Sequence, residues 1–231
     1  MVDIMFFGAH PDDIEIGAGG TVARQVAMGH SVCLVDLSAG EMGSNGTPDE
    51  RIAESETARR ILGAQHRVNL GLPDRGLKNA HDHLTKVVRV IREFRPRLVV
   101  APYYIDRHPD HIDCSNLVQE ACFESGLIKR DTGQPPHRPR RLLYYLLRGL
   151  AIPTFIVDTS EYYSTKLESI RAHRSQVEHH GHRTEVNDPG FFYFVESRDR
   201  YYGSLIGTRY GEPIVAPGPL GISDLLTGMF L

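Results

Sequence analysis

The sequence predicts an α/β fold with an open, mainly parallel, Rossmann-like sheet that carries helices on both faces. Short apolar runs alternate with longer segments of helical periodicity, which is the pattern of βαβ units. The predicted strands are residues 2–7, 31–37, 68–70, 98–101, 141–147 and 155–158. The predicted helices are residues 21–28, 48–62, 82–94, 111–126, 160–177 and 198–207.

Local signals support the elements of the first half of the chain. The segment 2–7 is a short apolar run of the kind that a buried strand shows, and the helix after it is expected to close at Gly29. The 48–62 helix opens on a proline followed by acidic residues, and Gly63 stops it. In the 82–94 helix, apolar residues recur at helical spacing, namely Leu84, Val87, Val88 and Ile91. No G-x-G-x-x-G fingerprint follows the first strand, so a dinucleotide is not expected.

The second half of the chain has less regular signals. Residues 129–141 are basic and proline-rich, which predicts an irregular crossing loop. The aromatic cluster at 191–194 is interpreted as core or interface. The segment 178–189 contains several histidines, but it is polar and is interpreted as a mobile surface loop, with adventitious metal binding as the alternative. The apolar tail, 225–231, is expected to cover a neighbouring surface, which favours a homo-oligomer.

Length and composition restrict the class of protein. With 231 residues the chain can bury one full core, so a single domain over residues 1–231 is expected. A hydrophobic content of 41% and a charged content of 24% are ordinary for a soluble globular protein. The net charge of −3 gives no indication of nucleic acid or an anionic membrane as partner.

Cysteine usage and the absence of long apolar runs indicate a compartment. Cys33, Cys114 and Cys122 lack metal-binding spacing and are predicted to be small buried residues in a reducing environment. No signal peptide precedes Val2, and no apolar run approaches the ~20 residues that a membrane span needs. The protein is therefore expected to be cytoplasmic.

The chemistry-bearing feature is the loop that follows the first strand. One imidazole and two carboxylates, those of His10, Asp12 and Asp13, stand at a strand-to-helix turn. Ligands of open α/β sheets bind at the carboxyl ends of the strands. Pro11 fixes its own φ and biases the preceding residue away from the helical region, so the turn is stiff. Imidazole and carboxylate ligands suit zinc or another divalent metal.

A second loop of the same kind follows the 98–101 strand. It carries Asp106, His108, Asp110 and His111 ahead of the next predicted helix. Either loop alone is more readily interpreted as a turn with helix capping, but two such loops at equivalent strand ends predict a shared metal site. Two histidines and a carboxylate also describe the iron site of non-haem oxygenases. An inert, metal-stabilised carbohydrate-binding protein is a further alternative.

These motifs resemble those of the LmbE-like (PIG-L) zinc-dependent de-N-acetylases. The resemblance is carried by the H-P-D-D-I-E run that starts at His10, the G-G-T run that ends at Thr21, and the H-P-D-H run that starts at His108. Within the family, the bacillithiol-biosynthesis deacetylases, which act on N-acetylglucosaminyl malate, are most similar in residues 44–47, 72–77 and 102–104.

The resemblance implies the reaction and the residues at its centre. His10, Asp13 and His111 would hold one zinc ion per chain, or another divalent metal, and leave an open position for water. Asp12 would be the general base. The expected substrate is N-acetylglucosaminyl malate, with mycothiol-type precursors, N-acetylglucosaminyl lipids and chitobiose as alternatives.

Further residues are implied around this centre. His108 would act as an imidazolium that stabilises the oxyanion, and either Asp106 or Asp110 would orient it and raise its pKa, with Asp106 favoured by the resemblance. Ordinary surface charge is the alternative interpretation of the arginines among the substrate-binding candidates, which are Arg51, Arg107, Asn45 and Tyr193. The resemblance also implies a homo-oligomer, with a hexamer as the expected assembly.

Overall fold

The computed structural model describes residues 1–78, 80–149, 151–178 and 181–221. Within these residues one sheet is formed by the strands β1 (Ile4–Gly8), β2 (Val32–Asp36), β3 (His66–Asn69), β4 (Leu98–Pro102), β5 (Arg141–Tyr145), β6 (Phe155–Asp158) and β7 (Gly211–Val215). The helices are α1 (Asp13–Ala27), α2 (Pro48–Leu62), α3 (His81–Phe94), α4 (Pro109–Glu124), α5 (Tyr163–Arg171), α6 (Arg174–Val177) and α7 (Phe191–Leu205), with a 3-10 turn at Ser160–Tyr162. None of these helices combines the length and the apolarity that a membrane span requires.

The sheet is mainly parallel, as the sequence predicts, and its strand order is β3-β2-β1-β4-β5-β7-β6. The neighbours from β3 to β5 run parallel, whereas β7 runs antiparallel to both β5 and β6. The six predicted strands are confirmed, and their ends differ from the described ones by at most two residues. The prediction misses β7, because Gly211, Glu212 and Pro213 hide its apolar pattern.

Helices cover both faces of the sheet, so successive strand residues enter two different cores. Met5 and Phe7 lie in the core that α3 and α4 cover, whereas Ile4 and Phe6 lie in the core under α1, α5 and α7. The predicted amphipathic face of α3 is confirmed, since the first core includes Leu84, Val87, Val88 and Ile91. The three cysteines are free thiols in or against that core, as predicted: Cys33, Cys114 and Cys122.

Two helices begin at least seven residues earlier than the sequence indicates. Helix α1 begins at Asp13 rather than at residue 21, because its glycines serve close packing and do not break the helix. A Cβ atom at Gly17 would lie 2.2 Å from the Tyr145 ring, and one at Gly20 would lie 2.7 Å from Thr159. Helix α7 begins at Phe191 rather than at residue 198, so the aromatic cluster forms its first turn.

A buried ion-pair network ties α1 to elements late in the chain. The Lys166 ammonium lies 2.7 Å from the Asp199 carboxylate and 2.6 Å from that of Glu212, and all three side chains are buried. Glu212 also accepts the backbone N–H groups of Gly20 and Thr21. The middle of the helix that starts in the first loop is thus held by β7.

The neighbouring strands β1 and β4 define the position of the site. From β1 the chain builds outward through β2 and β3, and it then crosses to the other side of β1 to form β4. Such a reversal of strand order leaves a crevice at the carboxyl ends of the two central strands. The loops after Gly8 and Pro102, which carry the two histidine motifs, start at this edge.

Two predictions concern residues that the structure does not describe. His179 and His180 of the predicted surface loop lie outside the described residues, and so does the apolar tail at 225–231. Metal binding by the histidine segment remains a prediction, and so does the role of the tail in forming an oligomer.

Candidate active site

The structure brings the two histidine loops together around three possible metal ligands. His10, Asp13 and His111 each offer one ligand atom, and these atoms lie within 4.8 Å of one another. Asp13 Oδ1 lies 3.2 Å from His111 Nε2, and Asp13 Oδ2 lies 3.6 Å from His10 Nδ1. The three side chains are almost fully buried. This group can hold one metal ion.

The backbone fixes Asp13 in this position. Its Oδ2 accepts the backbone N–H groups of Ala9, at 2.9 Å, and of His10, at 3.0 Å. Its Oδ1 is left to face His111. Burial alone would raise the pKa of Asp13, but the neighbouring imidazoles outweigh burial and hold that pKa well below its ordinary value. Asp13 is therefore an ionised carboxylate with one oxygen available for a ligand.

The carboxylates of the site also raise the pKa of both imidazoles. Burial would lower the pKa of His10, but Asp110, Asp13 and Asp74 raise it well above its ordinary value. Burial would also lower the pKa of His111, but Asp13 and Asp106 outweigh burial and raise that pKa to about 9. Protons on these imidazoles compensate the clustered negative charge. A divalent cation bound by the same nitrogens would do so as well, which is the charge balance that a metal site shows.

A second group that can hold a metal consists of His10, His108 and Asp110. In this group Asp110 is already engaged, because its Oδ2 accepts the Arg75 backbone N–H at 2.8 Å and its Oδ1 lies 3.0 Å from Arg75 Nη1. His108 Nδ1 accepts the Asp110 backbone N–H at 3.2 Å. These contacts favour the group with Asp13 as the ligand set.

The prediction that Asp106 orients the His108 ring and raises its pKa is wrong. Asp106 Oδ1 accepts the backbone N–H of His108 at 2.8 Å and lies 3.0 Å from Nδ1 of His111, so the ring that it orients is that of His111. Burial, with the neighbouring imidazoles, lowers the pKa of His108 instead of raising it. His108 is thus a neutral imidazole. The sequence predicted that these residues lie together, but it could not predict which ring the carboxylate would contact.

Asp12 occupies a strained and buried position at the start of α1. Its φ is 116°, a region that L residues rarely adopt and that is found at functional sites. Arg51 lies beside it, with Nη2 3.7 Å from Asp12 Oδ2, and the same guanidinium donates to the carbonyl groups of Pro11 and Gly40. Burial raises the pKa of Asp12 to about 6, although Arg51 opposes the rise. Arg51 is buried, which excludes its interpretation as a solvated helix residue.

The other three substrate-binding candidates have different positions. Arg107 lines the cavity of 340 Å³ that opens over the site and pairs with Glu185. Asn45 is buried between two loops, where its side chain exchanges hydrogen bonds with the backbone of His182. Tyr193 is 73% exposed on α7 and is absent from the cavity lining, which includes Phe191 instead.

Several cavity residues were not predicted as site residues, although Asp74 and Arg75 belong to the 72–77 segment that carries the resemblance. Asp74 and Arg75 follow β3, and Arg148 follows β5, so the rule that picked the two histidine loops could also have found them. Glu185 stands in an irregular segment that follows no strand, and no sequence signal indicated it. The site is thus lined by the five loops that follow β1 to β5 and by the 181–190 segment.

Residues 5–122 match the model of the PIG-L family, which is described as GlcNAc-PI de-N-acetylase. The chain belongs to this family. The PIG-L match covers the strands and loops that carry both histidine motifs. The resemblance inferred from those motifs is confirmed, and the chain is an enzyme of the N-deacetylase class.

Individual relatives extend the likeness beyond the matched region. The crystal structure of the conserved protein TT1542 from Thermus thermophilus is 38% identical, with a TM-score of 0.90 over 97% of this chain and 99% of that one. A diacetylchitobiose deacetylase of Thermococcus kodakarensis is 29% identical over 89% of this chain and 79% of its own. A probable N-acetyl-alpha-D-glucosaminyl L-malate deacetylase 2 of Bacillus subtilis is 29% identical over 73% of this chain and 80% of its own.

Proposed function

We propose that this PIG-L family member is a zinc-dependent hydrolase that removes the acetyl group from N-acetylglucosaminyl malate. The observation that carries the proposal is the meeting of His10, Asp13 and His111 beside the buried Asp12, at the floor of one cavity. Two imidazoles and a carboxylate with an adjacent base form the set that metal-assisted amide hydrolysis needs.

In this proposal the metal is held by His10, Asp13 and His111. The buried carboxylates around the two imidazoles supply the charge that favours a divalent cation. Bound zinc would lower the pKa of its water to about 7 and polarise the acetyl carbonyl. Asp106, 3.0 Å from His111 Nδ1, fixes the orientation of that ring.

The position of Asp106 leads to a prediction about metal affinity. Asp106→Asn is expected to weaken zinc binding by about 10–100-fold, because outer partners of metal-bound histidines typically contribute that much. Competition with a fluorescent zinc chelator measures the affinity. Asp113→Asn, in helix α4 with His111 but outside the cavity lining, is the matched control. Unchanged zinc affinity in Asp106→Asn would show that the contact with His111 is incidental.

Asp12 accepts the proton of the attacking water in the proposed mechanism. Its carboxylate lies in the cavity beside Asp13, and its pKa of about 6 leaves it ionised at neutral pH. Having taken the proton, Asp12 can return it to the leaving amine. The lowered pKa of His108 supports Asp12 rather than His108 as that acid.

The raised pKa of Asp12 predicts the pH dependence of turnover. A base works only when ionised, so activity is present above its pKa and lost below it. The acid limb of kcat/KM is therefore expected to have its midpoint near pH 6. A pH series with metal in excess measures it. A profile that stays flat down to about pH 5 would contradict a base with this pKa.

His108 can stabilise the oxyanion as a neutral donor. Its Nδ1 accepts the Asp110 N–H, so the ring proton of the neutral imidazole resides on Nε2. His108 lines the cavity, and its ring centroid lies 5.0 Å from that of His10. A preorganised donor of this kind contributes about 3 kcal/mol to the transition state in other hydrolases.

The guanidinium groups of the cavity wall support an acidic substrate, although the wall also contains the carboxylates of Asp12, Asp13, Asp74 and Glu185. The arginines that line it are Arg51, Arg75, Arg107 and Arg148. Guanidinium groups match carboxylates in shape and charge. An aglycone with two carboxylates, such as malate, fits this wall better than the neutral second sugar of chitobiose.

A direct assay tests the proposed function. The protein supplied with zinc is incubated with N-acetylglucosaminyl malate, N,N'-diacetylchitobiose or N-acetylglucosamine, and free amine and acetate are measured. We expect stoichiometric release of both, with the highest kcat/KM for the malate conjugate. Higher kcat/KM for chitobiose would overturn the choice of substrate, and absence of acetate from all three would overturn the deacetylase proposal.

We also propose, from the resemblance, that the enzyme is a single domain that acts as a homo-oligomer in the cytoplasm. The one continuous sheet of the described residues supports the single domain. Gel filtration with light scattering tests the assembly.

A further inference from the structure

Two arginines share one carboxylate at the rim of the cavity. Arg107, in the loop after β4, directs both Nη atoms at the two carboxylate oxygens of Glu185. Arg148, in the loop after β5, lies with Nη2 3.2 Å from Oε2 of the same carboxylate. All three residues line the cavity over the candidate metal ligands.

Aromatic rings hold Arg148 in place. Its guanidinium carbon lies 4.5 Å from the ring centroid of Phe194 and 5.6 Å from that of Phe191, both on α7. Burial and the neighbouring Arg107 lower the pKa of Arg148. The two guanidinium groups repel each other, so an anion between them is needed to compensate their charge. In this structure Glu185 is that anion.

Glu185 can leave the arginines without a movement of its backbone. Its side chain is 52% exposed, whereas the segment around it is fixed by other bonds. His182 is tied to Asn45, and the Asn187 side chain bonds the backbone of His182 and Thr184. A change of side-chain rotamer in Glu185 is therefore enough to release both guanidinium groups.

We propose that Arg107 and Arg148 form the subsite for an aglycone carboxylate, and that Glu185 occupies this subsite as an internal competitor. The inference rests on the proposed function and names a specificity-determining residue. An acidic ligand replaces one carboxylate by another, so the arginines stay paired in both states. A neutral aglycone gains nothing from them and leaves Glu185 in place. Selectivity thus depends on how strongly Glu185 competes.

Binding of L-malate to the zinc-loaded protein tests the subsite without turnover. Glu185→Gln removes the competing charge and is expected to tighten malate binding about tenfold if Glu185 fills the subsite nine-tenths of the time. Arg148→Gln is expected to weaken it, with Arg107→Gln as the substitute if that variant does not fold. Glu196→Gln, which removes a carboxylate paired with Arg200 outside the cavity, is the matched control and is expected to bind as wild type does.

Titration calorimetry gives the affinities, and KM values give a second readout. Glu185→Gln is expected to lower KM for N-acetylglucosaminyl malate and to leave KM for N,N'-diacetylchitobiose within about twofold. If malate bound through the metal alone, neither Glu185→Gln nor Arg148→Gln would change its affinity. If Glu185→Gln weakened malate binding, Glu185 would support the ligand instead of competing with it. Either result would overturn the inference. If no substrate is turned over, the proposed function fails, while the calorimetry still decides the subsite.

Discussion

Asp12→Asn is expected to lower kcat about 10²–10⁴-fold while the zinc content stays at the wild-type level. Asparagine keeps the size of the side chain but cannot take a proton from water. The zinc content is unaffected because Asp13, not Asp12, belongs to the group that can hold the ion. Steady-state kinetics and elemental analysis of the same preparation measure both quantities. Turnover within about tenfold of wild type would remove Asp12 from the role of general base.

A glycine at the same position separates catalysis from stability. The φ of 116° at Asp12 is a backbone conformation that costs about 1–3 kcal/mol for an L residue. Asp12→Gly relieves this strain and removes a buried carboxylate, so it is expected to raise the free energy of unfolding by about 1 kcal/mol while abolishing turnover. Urea unfolding measures the change. A less stable Asp12→Gly protein would show that the contact with Arg51 outweighs the strain.

His111→Ala is expected to lose zinc and activity together. The substitution removes one of the three ligand atoms that lie within 4.8 Å of one another, and a two-ligand site does not retain the ion at catalytic concentrations. It also leaves Asp13 and Asp106 without the imidazole between them. We expect kcat at the background rate and less than about a tenth of an equivalent of zinc per chain.

A surface histidine provides the comparison for His111→Ala. His81 is exposed at the start of α3, and its ring contacts Arg130 outside the cavity. His81→Ala is expected to keep wild-type zinc content and turnover. A His111→Ala enzyme that retains a full equivalent of zinc but not turnover would indicate that the ion is held by His10, His108 and Asp110 instead.

The sequence was sufficient to predict which residues meet at the centre of the candidate site, because the signals for them are local. His10, Asp12 and Asp13 belong to one turn, and His108 and His111 to another, so the choice needed only the positions of β1 and β4. Parallel strands that flank a switch point bring their following loops together whatever the details of packing. The pairing of the two loops was therefore predictable from their equivalent positions after two parallel strands.

Side-chain partners could not be predicted in the same way. Asp106 stands two residues before His108, yet its carboxylate contacts the ring of His111, one helical turn further on. The burial of Arg51 depends on carbonyl groups of two separate loops. Glu185 reaches the cavity from a segment without regular structure. Each of these contacts depends on side-chain packing in three dimensions, which no local sequence pattern specifies.

Strand β7, which comes late in the chain, also affects how the fold is completed. Within the described residues β6 pairs only with β7, although β6 ends at Asp158 and β7 begins at Gly211. Among the described strands, β6 therefore has no partner in a growing chain until β7 has been synthesised. We therefore expect this edge of the sheet to form late in biosynthesis, and an unfinished chain to present β6 to intermolecular pairing.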